Sequence, residues 1–466
     1  MKVELIPSAK RLIRSLRDIG YEFSDAVADI IDNSIEAQAT VINIIFRFEG
    51  EDSYLIIADN GVGMTAKGIQ EGLRFGSNRS YEDVNDLGRY GLGLKTASLS
   101  QCERLTVSAR RGEERALINS FCWDLDHIEK TNRWEILKIN ADKIKEEALH
   151  HLQDTTGTVV TWERLGRLLG YKYPSGEHAR KQVAQMADGL KLHLGMVFHR
   201  FLSGEIRGKR IAIYINEQKV MPWDPFSRGE KNTQKLDQII IPLSFEDDLH
   251  NVIVQPYILP PQSLFSSPKA HLSASGPEKW NKQQGFYIYR SNRLIQTGGW
   301  SGLRTSDEHT KLVRMAVFIP SQLDELFQVN VAKKHLKLPR DLRSTLIKEI
   351  QPIIQRAQEV YRDKVVDGIA LTGPNNSQSR QIEPQQSSTG TPPNYLPATT
   401  QKDLSNADYY ELFEKLVTQV IYKVGFEAEI NKIDAVMESL FKIADLNEKK
   451  SLVSLLTKFT ENNLSK

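Results

Sequence analysis

The chain has 466 residues, 40% of them hydrophobic and 26% charged, with a formal net charge of +2. That length accommodates two or three domains, and the composition excludes a fibrous or wholly disordered chain. A charge so near zero gives no global field that would draw a nucleic acid or a membrane surface.

Residues 1–20 predict a short helix or strap with basic Lys10, Arg11, Arg14 and Arg17. Ser24 is placed to cap a helix running to about Ala37. Val41–Phe48 and Tyr54–Ala58 are β-rich. A polar stretch with Gly and Asn separates Met64 from Gly88, and a helix starts near Gly93. Strands follow at Leu105–Ala109, Ala116–Ser120 and Thr158–Trp162, closing an α/β layered domain over residues 1–165. A helix over Glu177–Phe201 opens a second domain, residues 166–370. Its strands are expected at Arg210–Ile215, Gln238–Leu243, Val252–Leu259, Gly285–Arg290 and Arg314–Ile319, before a helix over Arg340–Asp367. Residues 371–402 are rich in Ser, Thr, Gln, Asn and Pro, cannot bury a core, and read as a disordered linker. Residues 403–466 read as a small helical region, with Gly425 as a C-cap.

The two cysteines, Cys102 and Cys122, lack CxxC spacing and a histidine cluster. They predict buried thiols in a reducing compartment, the cytoplasm, rather than a disulfide scaffold or zinc site. No apolar run reaches the ~18 residues of a membrane span, and the N-terminus lacks a signal peptide's apolar stretch.

Four short motifs carry chemistry. In ADIIDNSIEA, Asp29 and Asn33 stand one helical turn apart and point the same way. An amide oxygen at Asn33 suits Mg²⁺, and a carboxylate at Asp29 suits orienting a water. By itself the pattern also describes a solvated acidic helix face. Asp59, at a strand end, can accept from an exocyclic amine such as adenine's, and Gly61, Gly63 and Met64 follow it in a turn where backbone approaches ligand. Gly88, Gly91 and Gly93 precede a helix start, where backbone N–H groups favour phosphate; Lys95 and Thr96 lie in its first turn. One residue separates the last glycine from Lys95, which departs from a Walker A loop, and no GxGxxG fingerprint is present. Finally, Gly157-Thr158 opens a β-rich run, where a hydroxyl can complete an adenine pocket.

In order and spacing these four motifs resemble the N-box, the two glycine boxes and the Gly-Thr strand of the GHKL ATPases, the class of gyrase B, the heat-shock chaperones, histidine kinases and MutL. FGSNRSYEDVNDLGRYGLGLKTASLS, with HLGMVFHRFL, IAIYINEQKVMPWDPF and GFYIYRSNRLI further on, is similar to bacterial MORC-like members. The resemblance covers roughly residues 10–345. It implies a Bergerat-fold sandwich, a transducer-like α/β domain, ATP and Mg²⁺ as ligands, and a lid at residues 65–87. It also implies roles. Asn33 would hold Mg²⁺; Asp59 would take the adenine amine; Gly61, Gly63 and Met64 would shape the pocket. Gly88, Gly91, Gly93, Lys95 and Thr96 would meet phosphate, and Thr158 would support adenine. Asp29 would act as base where the family usually carries Glu, so slow hydrolysis is expected. Lys333, or else Lys334, would reach the γ-phosphate from the second domain.

The resemblance further implies an ATP-dependent homodimer closing through residues 1–20 as a clamp, with DNA as client and a role in bacterial defence. A chaperone-like or scaffold ATPase with a protein partner on residues 403–466 is the alternative. A histidine kinase is disfavoured, because no histidine precedes Asp29.

Overall fold

The longest apolar runs belong to strands covered on both faces. The computed structural model describes residues 6–18, 20–76, 93–112, 117–170, 173–246, 248–328 and 336–370, with side chains as far as Arg362. Gly88, Gly91, Lys333, Lys334, the later part of the expected lid, the linker 371–402 and the helical region 403–466 lie outside the described residues.

The first layer is built from α1 (Ala9–Arg17), α2 (Phe23–Glu36), β1 (Val41–Arg47), β2 (Tyr54–Asp59), α3 (Ala66–Leu73) and α4 (Gly93–Gln101). It continues with β3 (Arg104–Arg110), β4 (Asn119–Asp124), α5 (Leu125–Thr131), β5 (Leu137–Lys138), α6 (Glu146–Leu152) and β6 (Gly157–Glu163). Next come α7 (Glu177–Val197), α8 (His199–Ser203), β7 (Ala212–Ile215) and β8 (Gln218–Lys219). The strands form one eight-stranded sheet in the order β5-β4-β3-β6-β2-β1-β7-β8. Its pairings are antiparallel except β1 with β7. The sheet therefore runs past residue 165: the segment expected to open the second strand set pairs beside β1 instead.

In β2, Leu55 and Ile57 face the helices, while Tyr54, Ile56 and Ala58 face Ile144, Ala148 and Leu152 of the opposite layer. Two-sided burial explains the unbroken run YLIIA. Each such isoleucine contributes roughly 1.5–3 kcal/mol.

The second layer set comprises β9 (Gln234–Lys235), β10 (Ile239–Phe245), β11 (Asp248–Ile258), α9 (Pro268–Ala274), α10 (Lys279–Gln283), β12 (Gly285–Arg290), β13 (Arg293–Thr297), β14 (Val313–Ile319), α11 (Arg340–Glu349) and α12 (Gln351–Ala370). Its sheet order is β10-β11-β14-β12-β13, with β9 beside β11. Leu342, Leu346, Ile350 and Ile354 cover one face and Met196, Phe226 and Phe265 the other.

Two expected helices are each broken. The one over Glu177–Phe201 breaks at the fully buried Phe198. The one over Arg340–Asp367 breaks at Ile350, because Pro352 has no N–H with which to continue the ladder. Among the described residues no helix is long and apolar enough to cross a membrane. Cys102 and Cys122 are buried and unbridged.

Candidate nucleotide site

The acidic face of α2 turns inward. Asp25, Asp29 and Asp32 are all buried, so the solvated-face reading does not hold. Buried carboxylates need partners, and they have them. Asp29 Oδ2 accepts from the Tyr21 hydroxyl at 3.0 Å and Oδ1 from Arg293 Nη1 at 3.0 Å. The same Nη1 donates to Asp32 Oδ2 at 2.6 Å. Burial first, then Asp29, pushes the Tyr21 phenol up and keeps it protonated. One turn on, Asn33 is half-buried. Among the described residues its side-chain amide makes no hydrogen bond.

Asp59 ends β2 with its carboxylate fixed by three donors. Oδ1 accepts from the Gly61 amide at 2.9 Å and the Thr158 amide at 3.2 Å. Oδ2 accepts from the Ser34 hydroxyl at 3.0 Å. Burial raises the Asp59 pKa above the usual carboxylate value, and these three donors oppose the rise. Oδ1 is saturated, whereas Oδ2 keeps a lone pair for one further donor.

Glycines make this approach possible. A Cβ on Gly157 would lie 2.0 Å from the Asp59 carbonyl, and one on Gly61 2.6 Å from the Ala37 carbonyl. Gly63 has φ of +67°, and its Cβ would fall 2.0 Å from the Arg110 carbonyl, so no other residue fits. Met64 is half-buried and lies along Gly68 and Gly72 of α3.

Gly93 opens α4 directly beside Asp29, its Cβ position 3.6 Å from Oδ2. The first-turn amides of that helix lack intrahelical acceptors and favour an anion. The buried Thr96 and Ser98 hydroxyls find no hydrogen-bond partner among the described residues.

A family model described as histidine kinase-, DNA gyrase B- and HSP90-like ATPase matches residues 21–158. The match opens at Tyr21, which binds Asp29, and closes at Thr158, which binds Asp59. This segment is therefore similar to the GHKL ATPases. Protein MICRORCHIDIA 5 of Arabidopsis thaliana is 35% identical over 94 residues, 19% of this chain and 13% of that protein. DNA mismatch repair protein MLH1 of Saccharomyces cerevisiae is 33% identical over 95 residues, 20% of this chain and 12% of that protein. The matched segment is therefore a small part of either relative.

Within the matched segment two of the expected site residues make contacts that the sequence did not suggest. Thr158 reaches Asp59 through its backbone amide, not its hydroxyl. Lys95 is 1% exposed and donates to the carbonyls of Gly72 at 3.1 Å and Arg74 at 2.7 Å. Those carbonyls close the C-terminal end of α3, where helix geometry favours a cation. Burial lowers the Lys95 pKa to about 8. In this structure the ammonium ties α4 to α3 rather than pointing at the α4 N-terminus.

Sequence reasoning missed Tyr21, Ser34, Asp32 and Arg293. Ser34 sits next to Asn33 in the motif and was within reach of a helical-wheel argument against β2. Arg293 lies 264 residues from Asp29, and no local pattern joins them.

Proposed function

We propose that this chain binds ATP with Mg²⁺ and hydrolyses it slowly, using ATP state to switch a dimer. The observation that carries the reading is the Asp59 carboxylate, fixed by Gly61, Thr158 and Ser34 and left with one acceptor site suited to the adenine amine. Beyond it, Gly93 begins a helix whose free amides suit phosphate. Among the described residues no group of three His, Cys, Asp or Glu can hold a metal ion. The half-buried amide of Asn33, one turn from Asp29, suits Mg²⁺, which keeps waters and takes its other ligands from phosphate. When bound, the ion neutralises phosphate charge. Asp29 is assigned to orient the attacking water. Its Oδ2 accepts from the Tyr21 hydroxyl and its Oδ1 from Arg293, which fix the carboxylate beside the start of α4. Its short side chain falls roughly 1 Å behind a glutamate, consistent with slow turnover. Gly88 and Gly91 remain assigned to phosphate and Lys333 or Lys334 to the γ-phosphate, all outside the described residues.

The test compares turnover and Mg²⁺ dependence in wild type and Asn33→Ala. The variant is expected to lose at least about tenfold in Mg²⁺-dependent turnover, the scale of one lost charge-assisted contact of ~1.4 kcal/mol or more. Equal Mg²⁺ dependence in both would remove Asn33 from the assignment.

We further propose an ATP-dependent homodimer acting on DNA, in the cytoplasm. The support is the GHKL class and a relative whose name is DNA mismatch repair protein. A non-hydrolysable analogue should double the mass seen by light scattering and tighten retention of duplex DNA in a salt-dependent way. One finding favours a protein client instead. Lys10 and Arg14 pair with Glu129, and Arg17 with Glu103 and the Leu99 carbonyl, so most of the N-terminal basic cluster serves α1 docking. Doubled mass with no DNA retention would select the scaffold reading, with residues 403–466 as the partner-binding region.

A further inference from the structure

We propose that Arg293 is the positioning residue through which the second sheet sets the Asp29 carboxylate for water activation. The proposal rests on the ATPase reading and goes beyond it by making catalysis depend on a hairpin outside the matched domain.

The hairpin is built to deliver this side chain. β12 and β13 are joined by Ser291 and Asn292, both with positive φ, +46° and +69°. That is a two-residue turn of the tight hairpin kind, and its twist matches the strands. Arg290, before the turn, is locked to Asp324 at 2.7–2.8 Å. Asn292 Oδ1 accepts from Arg200 at 2.5 Å. The tip is thus held from both sides, and Arg293 leaves it toward α2, its guanidinium 5.9 Å from the Phe198 ring centre.

At α2, one nitrogen serves two acids: Nη1 bridges Asp29 Oδ1 and Asp32 Oδ2. None of the three side chains is more than 4% exposed. An ion-pair cluster this deep is a poor way to gain stability, because desolvation offsets the attraction. It is a good way to fix a geometry. Tyr21 holds the other oxygen of Asp29, so the carboxylate is pinned from two parts of the chain far apart in sequence. Without Arg293 one of those pins is gone. A carboxylate displaced by about 1 Å loses on the order of a hundredfold in rate. Adenine binding should be indifferent, since the donors on Asp59 are Gly61, Thr158 and Ser34, and none bonds to Arg293.

A structural ion pair would lower stability without touching the rate of each bound site, so the readout is turnover per bound nucleotide in the full chain. Arg293→Gln is expected to lower kcat ten- to a hundredfold, with the Kd for a non-hydrolysable ATP analogue within about twofold of wild type. Arg293→Lys, which keeps the cation but is one bond shorter, should recover part of the loss. Because Arg293 acts through Asp29, adding Arg293→Gln to Asp29→Asn should cost nothing further. If Arg293→Gln fails to bind analogue, Arg293→Lys carries the same comparison, alone and on Asp29→Asn. Wild-type kcat in the variant that binds, or a full additional loss on the Asp29→Asn background, overturns the proposal while leaving the ATPase reading intact. A wild-type chain with no turnover overturns both.

Discussion

Replacing Asp59 with asparagine is expected to weaken ATP binding about a hundredfold and leave the fold intact. The amide oxygen can still accept from the Gly61 and Thr158 amides, as Oδ1 does now. That choice turns the amide nitrogen toward Ser34 and the vacant acceptor position, where it meets the adenine amine donor to donor. A hydrogen bond to a charged group is worth ~1.5–3 kcal/mol, roughly ten- to a hundred-and-fiftyfold in affinity. Guanine presents a carbonyl where adenine presents its amine. The variant should therefore also lose most of any preference for ATP over GTP, which competition with a fluorescent analogue would read directly. The wild type adds a pH signature. Protonated Asp59 cannot accept at that position, and burial raises its pKa above the ordinary carboxylate value. ATP affinity should therefore fall on acidification, starting at higher pH than an unperturbed aspartate would give. An unchanged Kd and an unchanged ATP/GTP ratio for Asp59→Asn would take the adenine away from this residue.

The second large effect is on chemistry rather than binding. Asp29→Asn should cut kcat by roughly a hundred- to ten-thousandfold, the range of a lost general base. The Kd for ATP should stay within a fewfold, because Asp29 lies at the α4 start and not in the Asp59 pocket. Asparagine keeps an oxygen for Arg293 or Tyr21 but cannot take a proton. Single-turnover hydrolysis at saturating ATP separates the two quantities. Hydrolysis by Asp29→Asn at the wild-type rate would make Asp29 a purely structural partner of Arg293.

What could be read without coordinates divides by range of interaction. β2 and its terminal Asp59 are legible because an apolar run ending in Asp-Asn-Gly encodes strand and turn together. Gly63 is legible in part, as a turn glycine with positive φ, while the Arg110 carbonyl that also excludes a side chain comes from the distant β3. The spacing of Asp29 and Asn33 gave their common face but not which way it points. That depends on Arg293 and Tyr21, whose contribution no helical wheel contains. Lys95 shows the converse case. A lysine beside a glycine-rich helix start suggests phosphate, yet burial next to the end of α3 directs its ammonium to two carbonyls. The placement of β7 beside β1 escaped sequence reading because parallel pairing across a long connection leaves no local trace.

The most direct measurement is calorimetric titration of the purified, folded chain with ATP in the presence and absence of Mg²⁺. Saturable binding of one nucleotide per chain is expected, tighter with the metal and weakened about a hundredfold in Asp59→Asn. Absence of binding in wild type under both conditions would contradict the ATP-binding reading.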